Sequence, residues 1–135
     1  MAFQEWSIPQ VGRRGQKMSN NEVSLFINTK KGNYKTLTFS QDLSNDLRKN
    51  GFTYLVIRQD DLTMEIGLEF NKTHGVSLMK TGKEKINMRI GSPEWIEKLH
   101  QELKLTRGER HIIVLSDNLS KIESVRFYRI INVKN

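Results

Sequence analysis

An α+β fold, two pseudo-repeated β-β-α-β-β units forming antiparallel sheets with two helices, is what this sequence predicts. Three observations carry that reading. Several stretches alternate apolar and polar residues with period two, two short segments switch to helical spacing behind a serine, and the same punctuation occurs twice along the chain. A length of 135 residues suits one domain with a core of its own.

Residues 1–20 hold Pro9, Gly12, Arg13, Arg14, Gly15 and Lys17 ahead of a polar Ser-Asn-Asn run, the composition of a flexible basic arm. Residues 21–135 read as a single domain built from two repeats, about 22–70 and 75–131. In the first repeat, strands over 23–28 and 34–39 flank a Lys-Gly turn. Ser40 is then an N-cap, Asp42 sits near the positive end of the helix dipole, and Leu43 and Leu47 share a helix face. Asn50-Gly51 stops that helix, and FTYLVIRQ and TMEIGLEF follow as strands around an acidic DDL turn. In the second repeat, strands over 76–79 and 86–90 flank Thr81-Gly82-Lys83. Ser92 caps the next helix, Pro93 takes its first position, and Trp95, Ile96, Leu99 and Leu103 form its apolar stripe. HIIVLS and ESVRFYRII end the unit, bridged by Asp117-Asn118.

Overlaid, VSLF matches VSLM, Ser40 matches Ser92, Leu43 matches Trp95 and Leu47 matches Leu99, at an offset of 53 that becomes 52. Units of this length bury too little surface alone, so two copies are expected to pack as a pair. The expected result is about eight mostly antiparallel strands, with both helices covering the sheets on one side.

Charge narrows the function. Lys and Arg number 22 against 15 acids, a net charge of +7, which fits a polyanionic partner as well as simple solubility. The placement of the cations favours the partner. Lys30, Lys31 and Lys35 surround Tyr34 in the first hairpin, and Lys83, Lys85 and Arg89 occupy the matching hairpin of the second unit. Alternation in KINMRI turns Ile86, Met88 and Ile90 to one face and Lys85, Asn87 and Arg89 to the other. In YKTLTF, Leu37 and Phe39 face the core with Lys35 alongside, opposite Tyr34, Thr36 and Thr38. Both sets in FTYLVIRQ and RFYRI are mixed, which leaves their facing open.

Rings interleaved with cations on a sheet suit single-stranded nucleic acid, because bases stack on rings and cations track the backbone. The expected contacts are Lys30, Lys31, Lys35, Lys83, Lys85 and Arg89 to phosphates and Tyr34 and Tyr54 to bases, with Arg13 and Arg14 of the arm ordering on binding. The two lysine-bearing turns are expected to line one common track.

Other chemistries are poorly supplied. With no cysteine there is no disulfide, thiolate nucleophile or cysteine-built zinc site. Asp60, Asp61, Glu65 and Glu69 cluster in sequence, yet a turn and a strand carrying acids is their ordinary reading. His74, His100 and His111 lack ligand or triad spacing. A non-enzymatic protein without cofactor or metal is expected. No window approaches the roughly 18 apolar residues of a membrane span, and the N-terminal residues lack a signal-peptide core. A cytoplasmic location follows as the expectation, the host cytoplasm if the chain is phage-encoded.

The order of strands 52–59, 62–70, 75–80 and 85–90 followed by SPEWIEKL resembles the Whirly and transcriptional-coactivator superfamily, including phage single-strand-binding proteins of that shape. That resemblance implies a curved antiparallel sheet that binds single-stranded DNA, usually as an oligomer, in phage replication or recombination. The segments TLTFSQDLSNDLRKNGFTYLVI and LKLTRGERHIIVL resemble the strand–helix–strand module of AbrB-type regulators, which implies duplex DNA and transcriptional control. A third reading is a protein-interaction module, such as a phage-encoded inhibitor presenting a basic face to a host protein.

Overall fold

The computed structural model describes residues 18, 21–27, 35–80, 88–90 and 92–134. In chain order these form β1 (Glu22–Ile27), β2 (Lys35–Phe39), α1 (Gln41–Lys49), β3 (Tyr54–Gln59), β4 (Ile66–Asn71), β5 (Val76–Lys80), β6 (Met88–Ile90), α2 (Pro93–Glu102), β7 (His111–Leu115) and β8 (Val125–Lys134). Every neighbouring pair of strands is antiparallel. Together they close into one barrel in the order β1-β2-β6-β5-β3-β4-β8-β7.

That closure overturns the α+β fold of two β-β-α-β-β units expected from the sequence. Neither half of the chain forms a sheet of its own. Hairpin β1–β2 does not pair with β3–β4; it lies between β6 and β7 of the other half, while β3–β4 lies between β5 and β8. The physical reason is coverage. Helices of 9 and 10 residues are about 15 Å long, too short to roof eight strands. Rolling the sheet on itself buries the inward side chains against one another instead.

Nor do the helices lie over one side of a sheet. Each closes a different mouth of the barrel. At the first mouth, where β2 and β7 begin and β3 ends, α2 pairs Glu97 with Lys35 at 3.3 Å and accepts Gln59 Nε2 on Glu102 at 3.1 Å. His100 meets the ring of His111 there, with centroids 6.3 Å apart. At the second mouth, where β6 and β8 begin, the Met88 N–H donates to Ser44 Oγ of α1 at 2.8 Å, and Arg126 reaches Asp46 at 3.7 Å.

Both helices start as the sequence predicts. Ser40 Oγ accepts the Leu43 N–H and Ser92 Oγ the Trp95 N–H, with Pro93 in the first turn. These bonds satisfy donors that have no partner inside a helix.

Alternation sets the interior. Val23, Leu25, Ile27, Leu37, Phe39, Leu55, Leu68, Phe70 and Ile113 point inward and are almost wholly buried, joined by Leu43 and Leu47 of α1 and Ile96 and Leu99 of α2. Each fully buried side chain of this size contributes about 1.5–3 kcal/mol. Phe70 stands edge-on to both Phe39 (5.3 Å) and Tyr128 (5.8 Å), linking β4 to β2 and β8 through the centre. Burial raises the Tyr128 hydroxyl above its ordinary pKa. The two mixed strands are resolved by the same core: Leu55 and Ile57 face inward on β3, and Tyr128 does so on β8. Among the described residues, no helix is long and apolar enough to cross a membrane.

Candidate functional site

With one side-chain set inside, the other makes the outer wall. On β1 and β2 the outward residues are Ser24 and Phe26, opposite Thr38 and Thr36 respectively. Thr38 in turn faces Arg89 on β6. Further round, Ser77 of β5 faces Tyr54 of β3. Five adjacent strands, β1-β2-β6-β5-β3, thus carry two half-buried outward rings, Phe26 and Tyr54, with hydroxyls and the Arg89 side chain between them. Four strand spacings separate the rings, on the order of 19 Å measured along the sheet, which is half of the way round the eight strands, so a ligand touching both has to wrap round the barrel.

The end of this face at β1–β2 is a shallow open groove lined by Met18, Ser24, Phe26, Thr36, Thr38 and Arg110. Arg110 is exposed, and its Nε donates to Ser24 Oγ at 2.8 Å, which holds the guanidinium over the groove. Met18 leads back along the chain directly to Lys17 and, four and five residues away, to Arg14 and Arg13.

The residues expected to bind are placed unevenly. Arg89 and Tyr54 lie on the outer wall. Lys35 does not: it faces α2 and is engaged by Glu97, which also accepts Arg107 Nη1 at 2.6 Å. The Arg107 hydrogen bond, with a further contribution from Lys35, holds the Glu97 carboxyl below the usual glutamate range. Lys30, Lys31, Tyr34, Lys83, Lys85, Arg13 and Arg14 lie outside the described residues.

The common track expected for the two basic turns rests on residues 28–34 and 81–87, which lie outside the described residues. The described residues that flank them are Ile27 and Lys35 at the first mouth and Lys80 and Met88 at the second. Because β2 and β6 run antiparallel side by side, the anchors of the two turns sit at opposite ends of the wall. The length of β2 alone sets them on the order of 13 Å apart.

No protein-family model matches the chain, and no curated protein or solved structure matches it. Function therefore has to be read from this chain's own residues.

Three of the four acids flagged in sequence, Asp60, Glu65 and Glu69, are engaged in structural bonds. Asp60 Oδ1 accepts the N–H groups of Leu62 and Thr63, and these backbone bonds, that of Thr63 foremost, lower its pKa. Glu69 accepts Arg58 Nε at 2.7 Å and Asn71 Nδ2 at 3.2 Å, which lowers its pKa too. Glu65 faces Arg129 at 3.7 Å. Among the described residues no group of three His, Asp or Glu side chains is arranged to hold a metal. His100 and His111, solitary in sequence, are buried neighbours, and His111 Nε2 accepts the Thr106 N–H.

Phe26 and Arg110 were not singled out from the sequence. The signal for Phe26 was available, since Val23, Leu25 and Ile27 facing inward force Phe26 outward. For Arg110 there was none: its partner Ser24 is 86 residues away.

Proposed function

We propose that this protein is a non-catalytic, sheet-based binder of single-stranded nucleic acid, DNA in the first instance, with little sequence preference. The observation that carries the reading is the outer wall from Phe26 to Tyr54. It offers two aromatic faces, a row of hydroxyls, and the cations Arg89 and Arg110. The strand ends that flank the lysine-bearing segments 28–34 and 81–87 in the chain lie at its two ends. Stacking tolerates any base, while cations neutralise phosphates and release counterions. In the sequence Arg13, Arg14 and Lys17 closely precede Met18, which lines the groove. The net charge of +7 supports the same partner.

Fluorescence anisotropy with labelled oligo(dT) at increasing salt tests this. Affinity is expected to fall steeply as salt rises, and unlabelled duplex is expected to compete poorly. Tight duplex binding would support the AbrB-like alternative. Indifference to oligonucleotides at low salt would remove both and leave a protein-interaction role.

A further inference from the structure

The turn between β3 and β4 holds the most exposed apolar side chain among the described residues. Leu62 is 93% exposed, and Met64, two residues on, is 57% exposed. The turn presenting them is stiff. Asp60 Oδ1 accepts two N–H groups, the Asp60 carbonyl accepts the Met64 N–H at 2.8 Å, and the Asp60 N–H donates to the Glu65 carbonyl at 2.8 Å. Met64 holds φ at 65°, a left-handed conformation that costs a non-glycine residue. A leucine fixed in this way has little freedom left to lose on docking.

Beside this knob lies a hollow. Between α2 and the outer ends of β3 and β4 is a cavity of about 180 Å³ walled by Ile57, Ile66, Trp95 and Leu99, with Arg58 and Lys98 at its rim. A cavity of about 150 Å³ holds a benzene ring, so this one has room for a leucine side chain. The acid at the rim, Glu102, is bound by Gln59 Nε2.

Knob and hollow have opposite charge. Asp60, Asp61 and Glu65 make the turn an acidic spot on a chain of net charge +7, whereas exposed Lys98 stands at the hollow. They also share a hairpin, since Arg58 and Ile66 border both. A patch that carries its own complement is what a twofold, isologous contact requires.

We infer that two copies of this chain dimerise by exchanging Leu62 knobs, each seated in the Trp95 hollow of the other and flanked by Asp61 to Lys98 ion pairs. The contact is small, so the dimer is a weak one that forms in the micromolar range. The inference is independent of nucleic-acid binding. In the strand order β3–β4 stands diametrically opposite β1–β2, so the outer wall around Phe26 stays open in the dimer, and Tyr54 lies at the end of β3 away from the Leu62 turn.

Sedimentation velocity on the full chain over a wide concentration range tests it, alongside fluorescence of a Trp6→Phe variant in which Trp95 is the single indole. The expected result is reversible dimer formation, with Trp95 emission shifting to the blue and becoming shielded from acrylamide as concentration rises. Leu62→Asp, at a solvent-exposed position, is expected to weaken association about tenfold or more. Leu62→Met should retain the dimer. Lys98→Glu should weaken it, and pairing that change with Asp61→Lys should restore it. A monomer at every concentration would overturn the inference, as would a dimer indifferent to Leu62→Asp or a Trp95 signal that ignores concentration. If Leu62→Asp abolishes binding to some other protein while the chain stays monomeric, the knob serves that protein and the self-docking inference also fails.

Discussion

Ser44 Oγ receives the backbone N–H of Met88 at 2.8 Å across 44 residues of chain, and the same hydroxyl donates to the Phe39 carbonyl at 3.4 Å. One buried hydroxyl thus fastens α1 to the first residue of β6 and to the last of β2. Ser44→Ala removes it and strands a buried donor. The expected cost is about 1–3 kcal/mol, read from urea unfolding midpoints at unchanged m-value.

Phe127 lies across Gly67 on the outer wall of β4 and β8. A methyl group at Gly67 would fall 2.3 Å from the ring Cζ. Gly67→Ala is therefore expected to destabilise by about 1–3 kcal/mol through overpacking. In a Phe127→Ala background the same change should cost markedly less. A double-mutant cycle showing no coupling would mean the ring swings aside freely.

Glu97 makes the first mouth sensitive to acid. Its folded pKa lies below the ordinary value of 4.5, so its contribution is complete above that value and is lost as pH falls through the folded pKa. At neutral pH, Glu97→Gln should cost about 0.5–1 kcal/mol, the range of a partly exposed ion pair. The difference between the two proteins should shrink below pH 4.5 and vanish once the carboxyl is protonated in the fold. Unfolding midpoints at a series of acid pH values follow this directly.

The outer wall separates two groups of residues that charge alone would lump together. Phe26→Ala or Tyr54→Ala should weaken oligo(dT) binding by about 1–3 kcal/mol for each ring that stacks a base. Arg110→Ala should lower the salt slope by about one contact. Lys35→Ala should leave both affinity and slope unchanged, because its ammonium is held by Glu97 on α2. A full loss of binding in Lys35→Ala would place the ligand at the first mouth instead.

Local features of the fold were legible in the sequence; long-range ones were not. Ser40 and Ser92 cap helices as read, because a cap is decided within four residues. Leu37, Phe39, Met88 and Ile90 face inward as alternation requires. Alternation says which face is buried, however, not which strand comes next. That Leu37 lies opposite Ile90, and that β1 lies beside β7, depends on pairing across the whole chain. The expectation of two sheets failed at that step. The site divides in the same way. Arg89 reaches the outer wall as alternation in its own strand requires, whereas the facing of Tyr54 is set by the core that takes Leu55 and Ile57. Lys35 lies off that wall, as its alternation with Leu37 and Phe39 indicates, but the glutamate 62 residues later that holds it is announced by no local pattern.

Barrel closure also limits how the molecule can assemble. Among the described residues each of the eight strands has a neighbour on both flanks, so no strand offers a whole edge to another chain, although β3 meets β5 only at Tyr54 and Leu55 and β2 meets β6 only at Leu37 and Thr38. If copies gather along a nucleic acid as proposed, strand addition has only these short stretches to use. Side chains on turns and helices are then the wider surface for cooperativity, where single substitutions can abolish it without unfolding the barrel.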